Sequence, residues 1–202
     1  MSVSSNALIT LAELQTYPGI PSSLSAVDTT ILEALIDAVS KEIDNWTGIT
    51  MIQQSFIEHY LWEHIKDRTK FRLRHFPIVS VTSITDLSSN TIASTEYWID
   101  KVFGFLVRAG AWQVPQDDNG FATYWTIVYT AGKFANTAAV DAAVKLACKM
   151  QVGSMYRKPD PSVVTKTVDD LSLTFATGED KGEYLLAEVR NILRPYKGMR
   201  FV

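Results

Sequence analysis

One stretch limits the possible folds more than any other: Ser25 to Gly48, SAVDTTILEALIDAVSKEIDNWTG. Ile31, Leu32, Leu35, Ile36, Val39, Ile43 and Trp46 return every three or four residues, so they share one face of a helix. Thr29, Glu33, Asp37, Lys41, Glu42 and Asn45 fall on the other side. Ser25 and Asp28 make a capping-box pattern at its start, and Gly48 can take the left-handed turn that ends it. At 1.5 Å per residue such a helix is about 30 Å long, roughly the width of a small domain. An apolar stripe of that length holds its shape only against partners, which the rest of the chain must supply.

The natural partner is a second long helix over residues 137–157, TAAVDAAVKLACKMQVGSMYR, with Val140, Val144, Ala147, Cys148 and Met155 along its apolar side. Its many alanines allow a neighbouring helix to approach closely. Lys158-Pro159-Asp160-Pro161 stops it. Two shorter helices are predicted at residues 10–16, capped by Thr10 and stopped by Pro18-Gly19, and at 181–195. The long helix is predicted over about 28–47. Between residues 50 and 132 the apolar period falls to two, with strands at 53–62, 70–76, 79–87, 97–100, 105–108 and 123–130. A further strand is possible at 171–175, inside an otherwise polar stretch. The fold class that follows is α+β: an antiparallel helical bundle with a β-rich insertion between the second and third helices. A chain of 202 residues suits a single domain, here closed by a C-terminal arm at 196–202.

The net charge of −3 gives no overall basic character for holding nucleic acid. Cys148 is the sole cysteine, so no internal disulfide can form and a reducing compartment is expected. The N-terminal residues lack the pattern of a signal peptide, and no apolar run reaches membrane-spanning length. A soluble protein, intracellular where it is made and with no membrane partner, is the expectation.

Catalytic signatures are absent from the sequence. Val152-Gly153-Ser154-Met155 lacks the second glycine of a nucleophile elbow and falls within a helical pattern. There is no Walker loop, GxGxxG or zinc-finger spacing. Glu58, His59, Glu63 and His64 look metal-like, yet His59 and His64 are five apart and so on opposite faces of a continuous strand. An α+β enzyme or small-ligand module with a site near His59/His64 is the alternative reading. The main reading has no catalytic, cofactor-binding or metal residues and no cofactor. Asp117-Asp118 and Asp169-Asp170 read as solvated turns. Lys66, Arg68, Lys70, Arg72 and Arg74 form the one basic run; on alternating strand positions it makes a positive stripe for a channel or a neighbouring subunit, or a charge-protected edge.

The order of several strings resembles the head–tail connector (adaptor, or head-completion) family of tailed bacteriophages. ALITLAELQTY and ILEALIDAVSKEIDNWTGI resemble its opening, RHFPIVSVTSIT follows, and WTIVYTAGKF runs into AAVDAAVKLACKMQVGSMYRK. The resemblance covers about half of the chain. It implies a structural virion protein without catalysis, a ring subunit (a dodecamer) beneath the portal that extends the DNA channel. Its implied partners are copies of itself, the portal and the next connector or tail protein, with DNA passing through without specific binding. The implied place is the head–tail interface of the virion, after assembly in the bacterial cytoplasm. In that family a C-terminal arm contacts the portal, which here points to Arg190, Arg194, Tyr196, Lys197, Met199, Arg200 and Phe201.

Overall fold

The computed structural model describes residues 3–61, 69–86, 90–108, 110, 112, 124–157, 165–168, 171–174 and 185–198. The chain is α+β and divides into two compact units. The first comprises Met1–Ile43 and Asp141–Pro195, the second Asp44–Val140 and Tyr196–Val202.

In the first unit, α1 spans Leu11–Gln15. Thr10 Oγ1 accepts from the Glu13 N–H, and the Glu13 carboxylate accepts from the Thr10 N–H, a reciprocal cap at the helix start. Helix α2 spans Ala26–Thr47 and crosses into the second unit. The Asp28 N–H donates to Ser25 Oγ at 3.1 Å, as the capping pattern predicts. Gly48 closes the helix with φ of 71°, and its N–H reaches the Asp44 carbonyl at 2.8 Å. Leu32, Ile36, Val39 and Ile43 form the buried face of α2, while Ile31, placed on that face by periodicity, is exposed.

Helix α3 spans Ala142–Arg157 and begins later than its sequence pattern suggests. Asn136 caps a 3-10 turn, Thr137–Ala139, and Val140 then turns extended, which forces a fresh start. Helix α4 spans Ala187–Leu193. The alanine-rich α3 runs closest to α4 rather than to α2. The N-terminal segment supplies the reason, because it bonds to both long helices. The Leu8 N–H donates to Ser40 Oγ on α2, and Lys145 and Lys149 on α3 reach Glu13 and Thr16. Ala7, Leu8, Ile9 and Leu14 are buried with Val144, Ala147, Cys148, Val152, Val189 and Leu193.

The second unit holds two antiparallel three-stranded sheets. One is ordered β1–β6–β3, from Gln54–Leu61, Tyr124–Ala131 and Ile78–Thr85; the other is ordered β2–β5–β4, from Lys70–Arg72, Phe105–Arg108 and Tyr97–Asp100. Strand β6 is central and alternates strictly, with Trp125, Ile127, Tyr129 and Ala131 buried. These four join Leu73, Ile78, Ile84, Leu106 and Trp112 in one core. Strand β2 stops at Arg72, short of the predicted 70–76: Leu73 N–H goes to the Gly104 carbonyl, and side chains take the two donors after it, Arg74 N–H going to Glu58 and His75 N–H to the Tyr129 hydroxyl. Strands β7, Thr165–Val168, and β8, Leu171–Thr174, pair as a hairpin. Only the second of that pair has a clear signal in the sequence.

Candidate docking site

Helix α2 ends at Thr47, leaving its last carbonyls without helical donors. One is met from far along the chain, where the Gly198 N–H donates to the Thr47 carbonyl at 2.7 Å. The backbone approach excludes a side chain there: a Cβ on Gly198 would lie 2.6 Å from Ile49 Cγ2 and 3.1 Å from the Phe76 ring. Two cations flank the contact. Lys197 Nζ sits 4.7 Å from the centre of the Trp46 ring, and Lys133 Nζ sits 4.3 Å from that of Tyr196. Each such contact contributes roughly 0.5–1 kcal/mol at an exposed site. Both lysines are exposed, and neither has an ion pair among the described residues.

Of the predicted arm residues, Tyr196 and Lys197 therefore belong to this anchor in the second unit. Arg190 lies on α4 of the first unit, with Arg194 in the turn that follows. Met199, Arg200 and Phe201 lie outside the described residues.

Lys70 and Arg72 occur on β2 as the alternation predicts, with Leu73 buried beside them. Arg72 is committed within the subunit: its guanidinium lies 4.2 Å from the centre of the Phe76 ring, and Nε donates to the Phe103 carbonyl at 3.0 Å. Lys70 Nζ lies 5.7 Å from the Phe105 ring centre. Arg74 is exposed beyond the strand, and Lys66 and Arg68 lie outside the described residues.

A buried carboxylate nearby carries no clear sequence signal. Glu58 on β1 accepts from the hydroxyls of Tyr60 and Tyr129 and from the Arg74 N–H. Burial, with Glu58 alongside, pushes both phenols above their ordinary range. The His75 ring stacks on Phe56 at 3.8 Å, and Nε2 is 3.9 Å from Glu58 Oε1. Burial lowers the His75 pKa, with Glu58 acting in the opposite sense. At the end of α2, burial pushes the Asp44 carboxyl up to about 7, although its Oδ1 accepts from the Met51 N–H at 3.2 Å.

His59 occupies the exposed face of β1, its Nδ1 3.1 Å from Thr126 Oγ1 and its ring edge-on to Tyr124. His64 lies outside the described residues. Among the described residues no three His, Cys, Asp or Glu side chains converge to hold a metal, and no helix is long and apolar enough to cross a membrane.

Residues 7–199 match the head completion protein family. The chain belongs to that family. It is accordingly a structural head–tail adaptor. No curated protein sequence matches it. Among solved structures it is similar to a chain of the virion of a native gene transfer agent particle: 18% identity, TM-score 0.65, covering 100% of this chain and 95% of that one. It is also similar to a chain from the neck of the empty particle computed with C6 symmetry, at 16% identity and TM-score 0.66, covering 100% and 95%. A third likeness is to the neck of the native particle computed with C12 symmetry, at 17% identity and TM-score 0.59, covering 100% and 94%. At these identities the likeness shows a shared fold.

Proposed function

We propose that this chain is one subunit of a dodecameric ring beneath the portal, where it carries the DNA channel onward and offers a platform to the next connector or tail protein. The observation that carries the reading is the family match over residues 7–199. Full-length likeness to chains from particles whose necks were computed with C6 and C12 symmetry supports the ring and its place in a virion. Assembly takes place in the bacterial cytoplasm. The role is structural, without catalysis or a cofactor.

A mildly acidic chain suits a channel through which DNA slides, since many phosphate contacts would hold it. The C-terminal arm is the portal-docking element, with Tyr196 and Lys197 fixing its exit from the end of α2. The further proposed portal contacts are Met199, Arg200 and Phe201 of the arm and, in the first unit, Arg190 and Arg194. The basic run Lys66, Arg68, Lys70, Arg72 and Arg74 is assigned to the channel or the neighbouring subunit, with Lys70 and Arg74 as its contacting members, since Arg72 is held within its own subunit.

Electron microscopy of the chain mixed with its portal tests the reading. Rings stacked on the portal are the expected result, and no complex at micromolar concentrations would reject it. Deleting residues 196–202 should weaken attachment while the subunit stays folded.

A further inference from the structure

We infer that the ring is held by α2 of one copy packing against α3 of the next, always in the same head-to-tail sense. The inference rests on the ring reading above. Helix α2 carries a second apolar row besides its buried face. Val27, Ile31, Ala34 and Ala38 follow at steps of four, three and four; all are exposed, Val27 at 68% and Ile31 at 45%. A self-sufficient surface helix has polar side chains in that place.

Helix α3 has a corresponding row, turned away from buried Val144, Ala147, Cys148 and Val152. Ala143 is exposed, Leu146 is 46% exposed, and Met150 is half-buried. The two rows differ from each other, which is what a closed ring requires. Each subunit must present two unlike, complementary patches, whereas a self-complementary patch closes as a dimer.

Charge selects the pairing. On α2, Glu33 and Glu42 stand against Lys41, with Asp28 and Asp37 holding Tyr156 and Ser4 of the same subunit, while α3 carries Lys149 and Arg157, a Lys145 already paired to Glu13, and no carboxylate. Glu42 borders the α2 row and has no ion pair among the described residues. Lys149 borders the α3 row and donates to the neutral Thr16 hydroxyl at 3.1 Å. An acidic-flanked row meeting a basic-flanked one is favourable, and either row meeting itself would oppose like charges. Ala34 and Ala38 leave room for Leu146 of the next copy.

Cysteine cross-linking of the full chain assembled on its portal tests this, with rings first verified by electron microscopy. Native Cys148 is buried and the unsubstituted chain is the control. Under copper–phenanthroline oxidation, A34C with L146C in one chain should give a ladder of covalent multimers. A mixture of the two single variants should stop at dimers, and each single variant alone should stay monomeric. Rings lacking the cross-link, or A34C linking to itself, would overturn the interface and leave the ring reading standing. No ring from the unsubstituted chain, alone or with portal, would overturn both. As a second variant, Val27→Asp with Ile31→Asp should keep the wild-type melting temperature and cut ring formation roughly tenfold or more, since it puts unpaired charge into the contact. Undiminished rings would equally reject the inference.

Discussion

The Tyr129 hydroxyl donates to Glu58 Oε1 at 2.5 Å, joining residues 71 apart in sequence across the β1–β6 pairing. Both side chains are on the buried face, and the Tyr60 hydroxyl closes on the other carboxylate oxygen. Tyr129→Phe removes one donor and leaves the buried carboxylate under-satisfied. The expected cost is about 1–3 kcal/mol in urea denaturation. A variant as stable as the parent would show that the carboxylate finds its partners elsewhere.

That contact also marks the limit of what the sequence tells. The buried face of α2 is legible because Leu32, Ile36, Val39 and Ile43 repeat with the helix itself, and the strong strand at Tyr124–Ala131 is legible from its β-branched and aromatic run. Ile31 misleads because periodicity defines an arc without saying how much of it a partner covers. The network at Glu58 has no local signal: its neighbour His59 points to the other face, and Tyr129 is brought in only by strand pairing. The early end of β2 is illegible for the same reason, since the side chains that take the donors after Leu73 come from β1 and β6. The anchor for the arm is partly legible. Basic and aromatic residues alternate near the C-terminus, but the fit of Gly198 against Ile49 and Phe76 depends on the fold.

Asp44 makes stability depend on pH. Its carboxyl ordinarily titrates near 3.8, and burial raises it to about 7. Between those values the folded state holds a proton that the unfolded chain has released, so stability is full below pH 4 and falls as pH rises to about 7. Asp44→Asn keeps an oxygen for the Met51 N–H and removes the titration. The variant should be more stable than the parent at pH 8, by on the order of a few kcal/mol, and the difference should shrink at pH 5. Denaturation at the two pH values checks this, and a difference independent of pH would rule it out.

Glu13 serves two ends at once. Its carboxylate accepts from Thr10 N–H in the cap of α1 and from Lys145 Nζ on α3 at 2.6 Å. Burial opposes its ionisation, yet Lys145 and Thr10 outweigh that and hold its pKa below the ordinary value. Glu13→Ala should cost about 1–2 kcal/mol, losing cap and ion pair together, whereas Lys145→Met should cost less than about 1 kcal/mol. Thermal melts of both variants test the order, and a larger loss in Lys145→Met would reverse the assignment.

Among the described residues His59 makes one polar contact, to Thr126, from an exposed position. His59→Ala should change stability by less than about 0.5 kcal/mol and leave ring assembly intact. Loss of a bound metal or of ligand-dependent stabilisation in this variant would revive an enzyme or ligand-binding role for that face.

Gly198 ties the C-terminal segment to the end of α2. Its N–H meets the Thr47 carbonyl, and Ile49 Cγ2 lies 2.6 Å from where a Cβ would stand. The Phe76 ring, 3.1 Å from the same point, also carries Arg72 at 4.2 Å. Gly198→Val should lift the arm from the end of α2 and expose it to limited proteolysis, while urea denaturation of the subunit changes by about 1 kcal/mol or less, the worth of one exposed backbone hydrogen bond. If the anchor orders the arm for its partner, portal attachment should weaken roughly tenfold, the loss that corresponds to about 1.4 kcal/mol of restored arm freedom. Lys133→Ala, which removes the cation lying against the Tyr196 and Phe134 rings and leaves the Gly198 contact in place, should produce a smaller effect in the same direction. Attachment unchanged in both variants, despite a cleavable arm, would mean that the portal does not read the arm through this anchor.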